Sequence, residues 1–355
     1  MKFNIRNRAI GDGEPCYVTF EAGPTHSGLS SAIELVKTAA ASGADAVKFQ
    51  IFDPDKLVAD RSQLFSYEIL IDRETGETRS VSEPLYDILL RRYLKPEDWL
   101  KVKAVADELN LAFFATVGFP EDIELLQKMK CDSIKIASAD VNHFPLIRLA
   151  ARTGMCIQLD TGSSTLGEIE KAVDIILKEG NEKIIIHQCP SGYPARVESI
   201  HLRMISTLKQ MFPFPIAFSD HTPGWDMDIA ALVLGAKMIE KTITKDRMTQ
   251  SVEHIFSLEE KQLVPFVSAI RDVETALGQP RRILSDAELE KRNRIRRSIF
   301  AKRDMRKGEK LTETDIEYRR PGTGLQPDKL DLILGKSIVT DVASGHMFTL
   351  LDFRE

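Results

Sequence analysis

AFFATVGFPEDIELLQKMKCDSIKIAS, residues 112–138, contains one full repeating unit of this chain. AFFAT (112–116) is a short apolar run that stops at Thr116, and EDIELLQKM (121–129) has apolar residues at helical spacing. DSIKIAS (132–138) is a second short run, bearing Lys135 and ending at Ser138. Strand, helix and strand in that order predict a parallel pair joined by a crossover.

The same unit continues in both directions. Upstream lie YVTFEAG (17–23), ending its run at Glu21, and DAVKFQ (45–50), carrying Lys48 and Gln50. Downstream lie CIQLDTGSS (156–164) with Ser163 and Ser164, IIIHQC (184–189) with His187 and Gln188, IAFSDH (216–221) with His221, and KMIEKT (237–242) with Glu240 and Lys241. Helical patterns fall between them: SSAIELVKTAAAS (30–42), PEDWLKVKAVADEL (96–109), GEIEKAVDIILKE (167–179) and DIAALVLGA (228–236). Strict alternation argues for a parallel sheet. Eight units of this length fit a closed (β/α)8 TIM barrel, whose active site lies at the C-terminal strand ends, where the polar residues recur.

Composition sets limits on partners. The 355 residues include 48 basic and 53 acidic ones, for a formal charge of −5, which gives no sign of a nucleic-acid partner. No apolar run is long enough to span a bilayer and MKFNIRNRAI lacks a signal-peptide pattern, so no membrane partner and a cytoplasmic location are expected. Cys16, Cys131, Cys156 and Cys189 sit inside apolar patterns without CxxC spacing and read as reduced core thiols.

A composition shift divides the chain. The barrel is expected over 1–280, a polar and basic linker over 281–297, and a small β-rich domain over 298–355, where SIFAKRDMRKGEKL, IEYRRPGTG and LGKSIVTDVASGHMFT alternate strand patterns with turn signals. A module of that size gains by packing against something else. The insertion over 52–93, with RETGETRS inside it, is too long for an ordinary βα loop and reads as a hairpin or a mobile excursion.

Lys48 and Lys135 reach into the barrel mouth in this reading, with hydroxyls from Thr116, Ser138, Ser163 and Ser164 beside them, which suits a small polyanion. A single such lysine is most simply a surface snorkeller; two on different strands of one barrel favour the site. Glu21 and Asp140 add carboxylates for proton transfer or for sugar hydroxyls, or pair with the lysines. His221 is the leading metal-ligand candidate, with His187 or Gln188 as its neighbour; adjacent strand residues face opposite ways, so only one of that pair looks inward. A Schiff-base pyruvate aldolase is a rival use of the same lysines.

The motifs EAGPTHSG (21–28), GADAVKFQ (43–50), FFATVGF (113–119), SIKIASADVNHFPLI (133–147), LDTGSS (159–164), HQCPSGYPA (187–195), FSDHT (218–222) and GAKMIEKTIT (235–244) resemble the sialic acid synthase family, which includes a spore coat polysaccharide synthase branch. SIFAKRDMRKGEKLTETDIEYRRPGTGL (298–325) is similar to that family's antifreeze-like SAF domain, a β-clip module. The resemblance implies condensation of phosphoenolpyruvate with an N-acylated hexose to a nonulosonic acid. It implies that Lys48, Thr116, Lys135, Ser138 and Ser164 hold phosphoenolpyruvate. Glu21, Gln50, Asp140 and Tyr193 would surround the sugar and reacting carbons, with Glu21, Asp140 and His221 as the catalytic groups. His221 would help to bind a divalent manganese or magnesium ion, and Arg320 would contact the sugar from the partner chain of a domain-swapped homodimer.

Departures from the family pattern cluster on sugar and metal positions. Gln188 stands where a histidine is usual, Ser164 and Thr25 replace asparagines, EKHFT reads EKTIT, and GPDH reads SVEH with Glu253 and His254. They leave open the acceptor, the second metal ligand, and a non-catalytic sugar-binding role.

Overall fold

The computed structural model describes residues 1–354. Its barrel strands, in chain order, are β1 (Tyr17–Glu21), β2 (Ala46–Gln50), β3 (Ala112–Val117), β4 (Ser133–Ile136), β5 (Cys156–Asp160), β6 (Ile184–Gln188), β7 (Ile216–Asp220) and β8 (Met238–Thr244). Each pairs in parallel with its neighbour, and β8 returns to β1 with Met238 opposite Tyr17 and Thr242 opposite Glu21. Closure leaves no free edge.

Period-2 alternation sorts every strand residue into the lumen or the outer layer. Val18, Phe20, Val47, Phe49, Ile134, Ile157, Leu159, Ile186 and Phe218 point outward into the main core under the helices. Tyr17, Ala46, Ala112, Phe114, Cys156, Ile185, Ala217 and Met238 point inward and make an apolar floor. Ile5 and Ile10, from an antiparallel hairpin of Lys2–Ile5 and Arg8–Gly11 that the sequence reading passed over, plug that floor from below. Above it the lumen is polar: Ser133, Lys135, Gln158, His187, Ser219, Lys48 and Glu240 are all buried there.

The covering helices begin where the sequence chemistry allows. Thr165 caps Leu166–Lys178 by accepting from the Glu168 amide while Glu168 returns the bond, and Pro96 and Pro120 occupy first-turn positions. The 52–93 insertion is a hairpin of Leu64–Leu70 and Thr78–Pro84, flanked by the short helices Pro54–Leu57 and Leu85–Leu90. Its Tyr67 and Ile69 pack with Ile88 and with Val252 after β8, so the excursion is anchored.

Two compact units divide at Gly278 and Gln279. In the second, the span expected as linker contains a ten-residue helix, Asp286–Ile295, started by a Ser285/Glu288 capping box. Polar, basic composition hid it, because all of its residues are at least partly exposed and no apolar stripe marks it. The rest is a small β domain with its own core of Ile299, Met305, Leu311, Ile333, Ile338 and Phe348. All four cysteines are free and buried. Among the described residues, no helix is long and apolar enough to cross a membrane.

Candidate active site

Strand register sets the positions of the chemical groups. Lys48 on β2 lies beside Glu21 on β1, Lys135 on β4 beside Thr116 on β3, and Ser219 on β7 beside Glu240 on β8. All of these strand residues belong to the inward-facing set. Of these, Glu21, Lys48, Thr116 and Glu240 line a 360 Å³ cavity at the C-terminal strand ends, with Gln50, Ser138, Asp140, Tyr193 and His221 among its other walls. Lys135 lies directly beneath, fully buried.

Glu240 links the two lysines. Lys135 Nζ is 2.7 Å from both Glu240 carboxylate oxygens, 2.9 Å from Ser219 Oγ and 3.0 Å from Asp160. Lys48 Nζ is 3.2 Å from Glu240 and is bonded to Glu21 as well. Burial pushes the Glu240 carboxyl up, but the Lys135 and Lys48 ammoniums outweigh it and hold the group far below the usual carboxylate range. Burial opposes the charge on Lys48, yet Glu21 and Glu240 raise its pKa well above the ordinary lysine value. Glu21 is shifted up, chiefly by burial, against the pull of Lys48. Neither Glu240 nor Asp160 had a role in the sequence reading. The signal for Glu240 was its inward phase on β8, one residue before Lys241.

Lys241 itself faces outward and is not part of the site. It is bonded to Asp220, donates to the Thr222 carbonyl at 2.7 Å and lies 3.3 Å from Asp228.

The hydroxyls divide in the same way. Ser138 faces the cavity and accepts from the Gly162 amide at 3.0 Å. A Cβ on Gly162 would come within 2.8 Å of that hydroxyl, so glycine permits the approach. Ser164 turns back on its own loop, donating to the Gly162 carbonyl at 3.3 Å, and Ser163 pairs with Ser191 at 2.8 Å. Neither lines the cavity.

The three residues expected near a metal are not brought together as a ligand set. His221 is buried, and its Nδ1 lies 3.2 Å from the Pro190 carbonyl, which leaves Nε2 as the ring's free nitrogen. Burial lowers its pKa and favours the neutral imidazole a metal needs. His187 does turn inward, but its Nδ1 meets Ser219 at 2.9 Å and its Nε2 meets Gln158 at 3.0 Å, so neither nitrogen is open. Gln188 turns outward and donates to the Ile200 carbonyl at 2.9 Å. Among the described residues, no three His, Cys, Asp or Glu side chains gather at ligating distance. His221 thus keeps one ring nitrogen open to a ligand, while His187 and Gln188, as placed, do not offer one.

Two residues outside the sequence reading's binding set complete the walls. Glu253, in a left-handed conformation at φ 74°, is buried in the cavity, and burial together with Glu21 pushes its carboxyl up to about 8. Arg92, at the end of the insertion, is also buried in the cavity wall. Asp140 is half-buried there, raised by that burial. Arg320 is an exposed residue of the second unit.

Known proteins resemble the chain along most of its length. A model described as the NeuB family matches residues 35–282, and a SAF domain model matches residues 296–354. An N,N'-diacetyllegionaminic acid synthase of Legionella pneumophila is 33% identical over 341 residues, covering 94% of each chain. Spore coat polysaccharide biosynthesis protein SpsE of Bacillus subtilis is 32% identical, covering 96% of this chain and 94% of that one. Among solved structures, the N-acetylneuraminic acid (sialic acid) synthetase of Leptospira borgpetersenii superposes with a TM-score of 0.71 at 27% identity, over 82% of this chain and 95% of that one.

Proposed function

The chain belongs to the NeuB family and is a synthase, and we propose that it condenses phosphoenolpyruvate with an N-acylated hexose to a nonulosonic acid, releasing phosphate. The observation that carries this reading is the pair of inward-facing lysines, Lys48 and Lys135, bridged by Glu240 beneath a cavity walled by hydroxyls.

The lysines act on phosphoenolpyruvate. Two ammoniums near Thr116 and Ser138 can hold its phosphate and follow the charge as the ester oxygen leaves. Glu240 bonds both lysines and favours the charged form of Lys48 in the absence of substrate. A protonated, carboxylate-bound lysine is a poor carbonyl nucleophile, which weighs against the Schiff-base aldolase.

The bond-forming step joins the phosphoenolpyruvate methylene carbon to the open-chain aldehyde carbon, and the aldehyde oxygen takes a proton. Water then adds to carbon 2, losing a proton to a carboxylate, and the carbon–oxygen bond to phosphate breaks. Glu21 and Asp140 line the cavity with pKa values raised by burial, as proton exchange near neutral pH requires. Gln50 and Tyr193, which line the same cavity, would orient sugar hydroxyls. A manganese or magnesium ion, when bound at His221, would supply Lewis acidity toward the aldehyde.

Three further points belong to the proposal: a cytoplasmic location, a domain-swapped homodimer, and Arg320 as the residue that meets the sugar in the partner's barrel. The exposed position of Arg320 next to Pro321 supports the last of these. The testing experiment measures phosphoenolpyruvate consumption with manganese and a panel of N-acyl hexosamines. Consumption that depends on a sugar supports the reading; reductive trapping of pyruvate on a lysine, without sugar-dependent consumption, would favour the aldolase.

A further inference from the structure

Arg92 is 7% exposed, and its Nε is buried without a hydrogen-bond partner. Glu253 and Glu21 act on its charge through space and not through a hydrogen bond. A buried guanidinium in that condition is costly, since desolvation is offset only when the donors are paired. The side chain lies in the cavity wall, on the segment that joins the insertion to the barrel, and Leu85, Ile88, Leu89 and Val252 line the same cavity. A buried guanidinium with an unpaired donor in a cavity wall is a recognition position for a planar or tetrahedral oxyanion.

Two substrate groups could supply that oxyanion, the phosphoenolpyruvate carboxylate and an acidic group on the sugar. Lys48, Lys135, Thr116 and Ser138 are assigned to phosphoenolpyruvate in the reading above. Arg92 comes from the insertion and lines the cavity with Glu253 and Val252, from the loop after β8, whereas the lysines come from strands β2 and β4. We propose that Arg92 is a specificity-determining residue that binds an oxyanion carried by the acceptor, which makes the preferred acceptor an acidic N-acyl hexosamine such as its 6-phosphate. This rests on the condensation reading above.

The test compares the full chain with its Arg92→Met and Arg92→Lys variants, following phosphoenolpyruvate consumption with N-acetylmannosamine and with N-acetylmannosamine 6-phosphate. The wild type should favour the phosphorylated sugar in kcat/KM. Arg92→Met should lose that preference by roughly 10- to 100-fold, as expected for a charge-assisted fork, and Arg92→Lys should recover part of it. Calorimetric affinity for phosphoenolpyruvate alone should not change. Melting temperature should hold or rise in Arg92→Met, because an unpaired buried charge is removed; a structural arginine would lower it. Equal use of both sugars by wild type and variant would overturn the acceptor role, and so would a selective loss of phosphoenolpyruvate affinity. If neither sugar drives consumption, the condensation reading falls and takes this proposal with it.

Discussion

Removing the Lys135 ammonium should have two measurable effects. It takes away a charge-assisted contact to the bound anion, about 2–4 kcal/mol, so phosphoenolpyruvate affinity in Lys135→Ala should fall by two orders of magnitude or so. It also leaves Asp160 without its lysine and Glu240 with Lys48 alone, which costs on the order of 3–5 kcal/mol of stability for a buried ion cluster. Calorimetry and denaturant unfolding read the two separately, and unchanged affinity in a folded variant would mean that the cradle is misplaced. Glu253 gives a pH signature. Its carboxyl is raised from 4.5 to about 8 on folding, so between those values the folded state binds the extra proton and stability falls as pH rises. The penalty is absent below 4.5 and fully present above 8. Glu253→Gln should remove it, so the stability difference between variant and wild type should grow from pH 5 to pH 8 and then level off. A constant difference would contradict the shift. Lys48, Lys135, Thr116 and Ser138 could be read from the sequence because strand phase and strand ends suffice to aim them. The closing contacts of His187 could not, since they depend on Ser219 and Gln158 from two other strands.

At the scale of elements, the insertion hairpin is held at the cavity by a small satellite core. Tyr67, Ile69, Ile88 and Val252 form one patch, and Leu70, Ile255 and Phe256 another. Truncating Ile69, which is 1% exposed, should loosen the hairpin more than the barrel, since the patch is separate from the main core. Ile69→Ala should therefore speed proteolytic cutting in the 71–77 turn and raise the sugar KM, while phosphoenolpyruvate affinity stays within about twofold. Equal loss of both affinities would show that the hairpin supports the entire site. The eight strands were legible because each is a short apolar run between turn signals, with its period set by burial on both faces. The N-terminal hairpin escaped notice because KFNI and RAIG are too short and mixed to show alternation. The Asp286–Ile295 helix escaped because capping, not burial, marks it.

At the scale of the molecule, the proposed dimer predicts complementation between damaged chains. Lys135→Ala lacks the anion site and Arg320→Ala lacks the arginine. A mixed dimer would contain one site with both residues intact, so mixing the two inactive proteins should recover up to about a quarter of wild-type activity after statistical exchange. No recovery in a verified mixed dimer would contradict the swapped arrangement and place Arg320 in its own chain. The central claim is that the Lys48–Glu240–Lys135 cluster serves a phosphoenolpyruvate condensation. The most direct measurement is a carbon–carbon bond assay: phosphoenolpyruvate labelled at its methylene carbon is incubated with manganese and N-acetylmannosamine or its 6-phosphate, and the products are separated by mass. A product equal to sugar plus phosphoenolpyruvate plus water less phosphate, with the label inside the new chain and none formed by Lys135→Ala, is the predicted result. Label that stays in phosphoenolpyruvate or emerges only as free pyruvate, with wild type and Lys135→Ala alike, would contradict it.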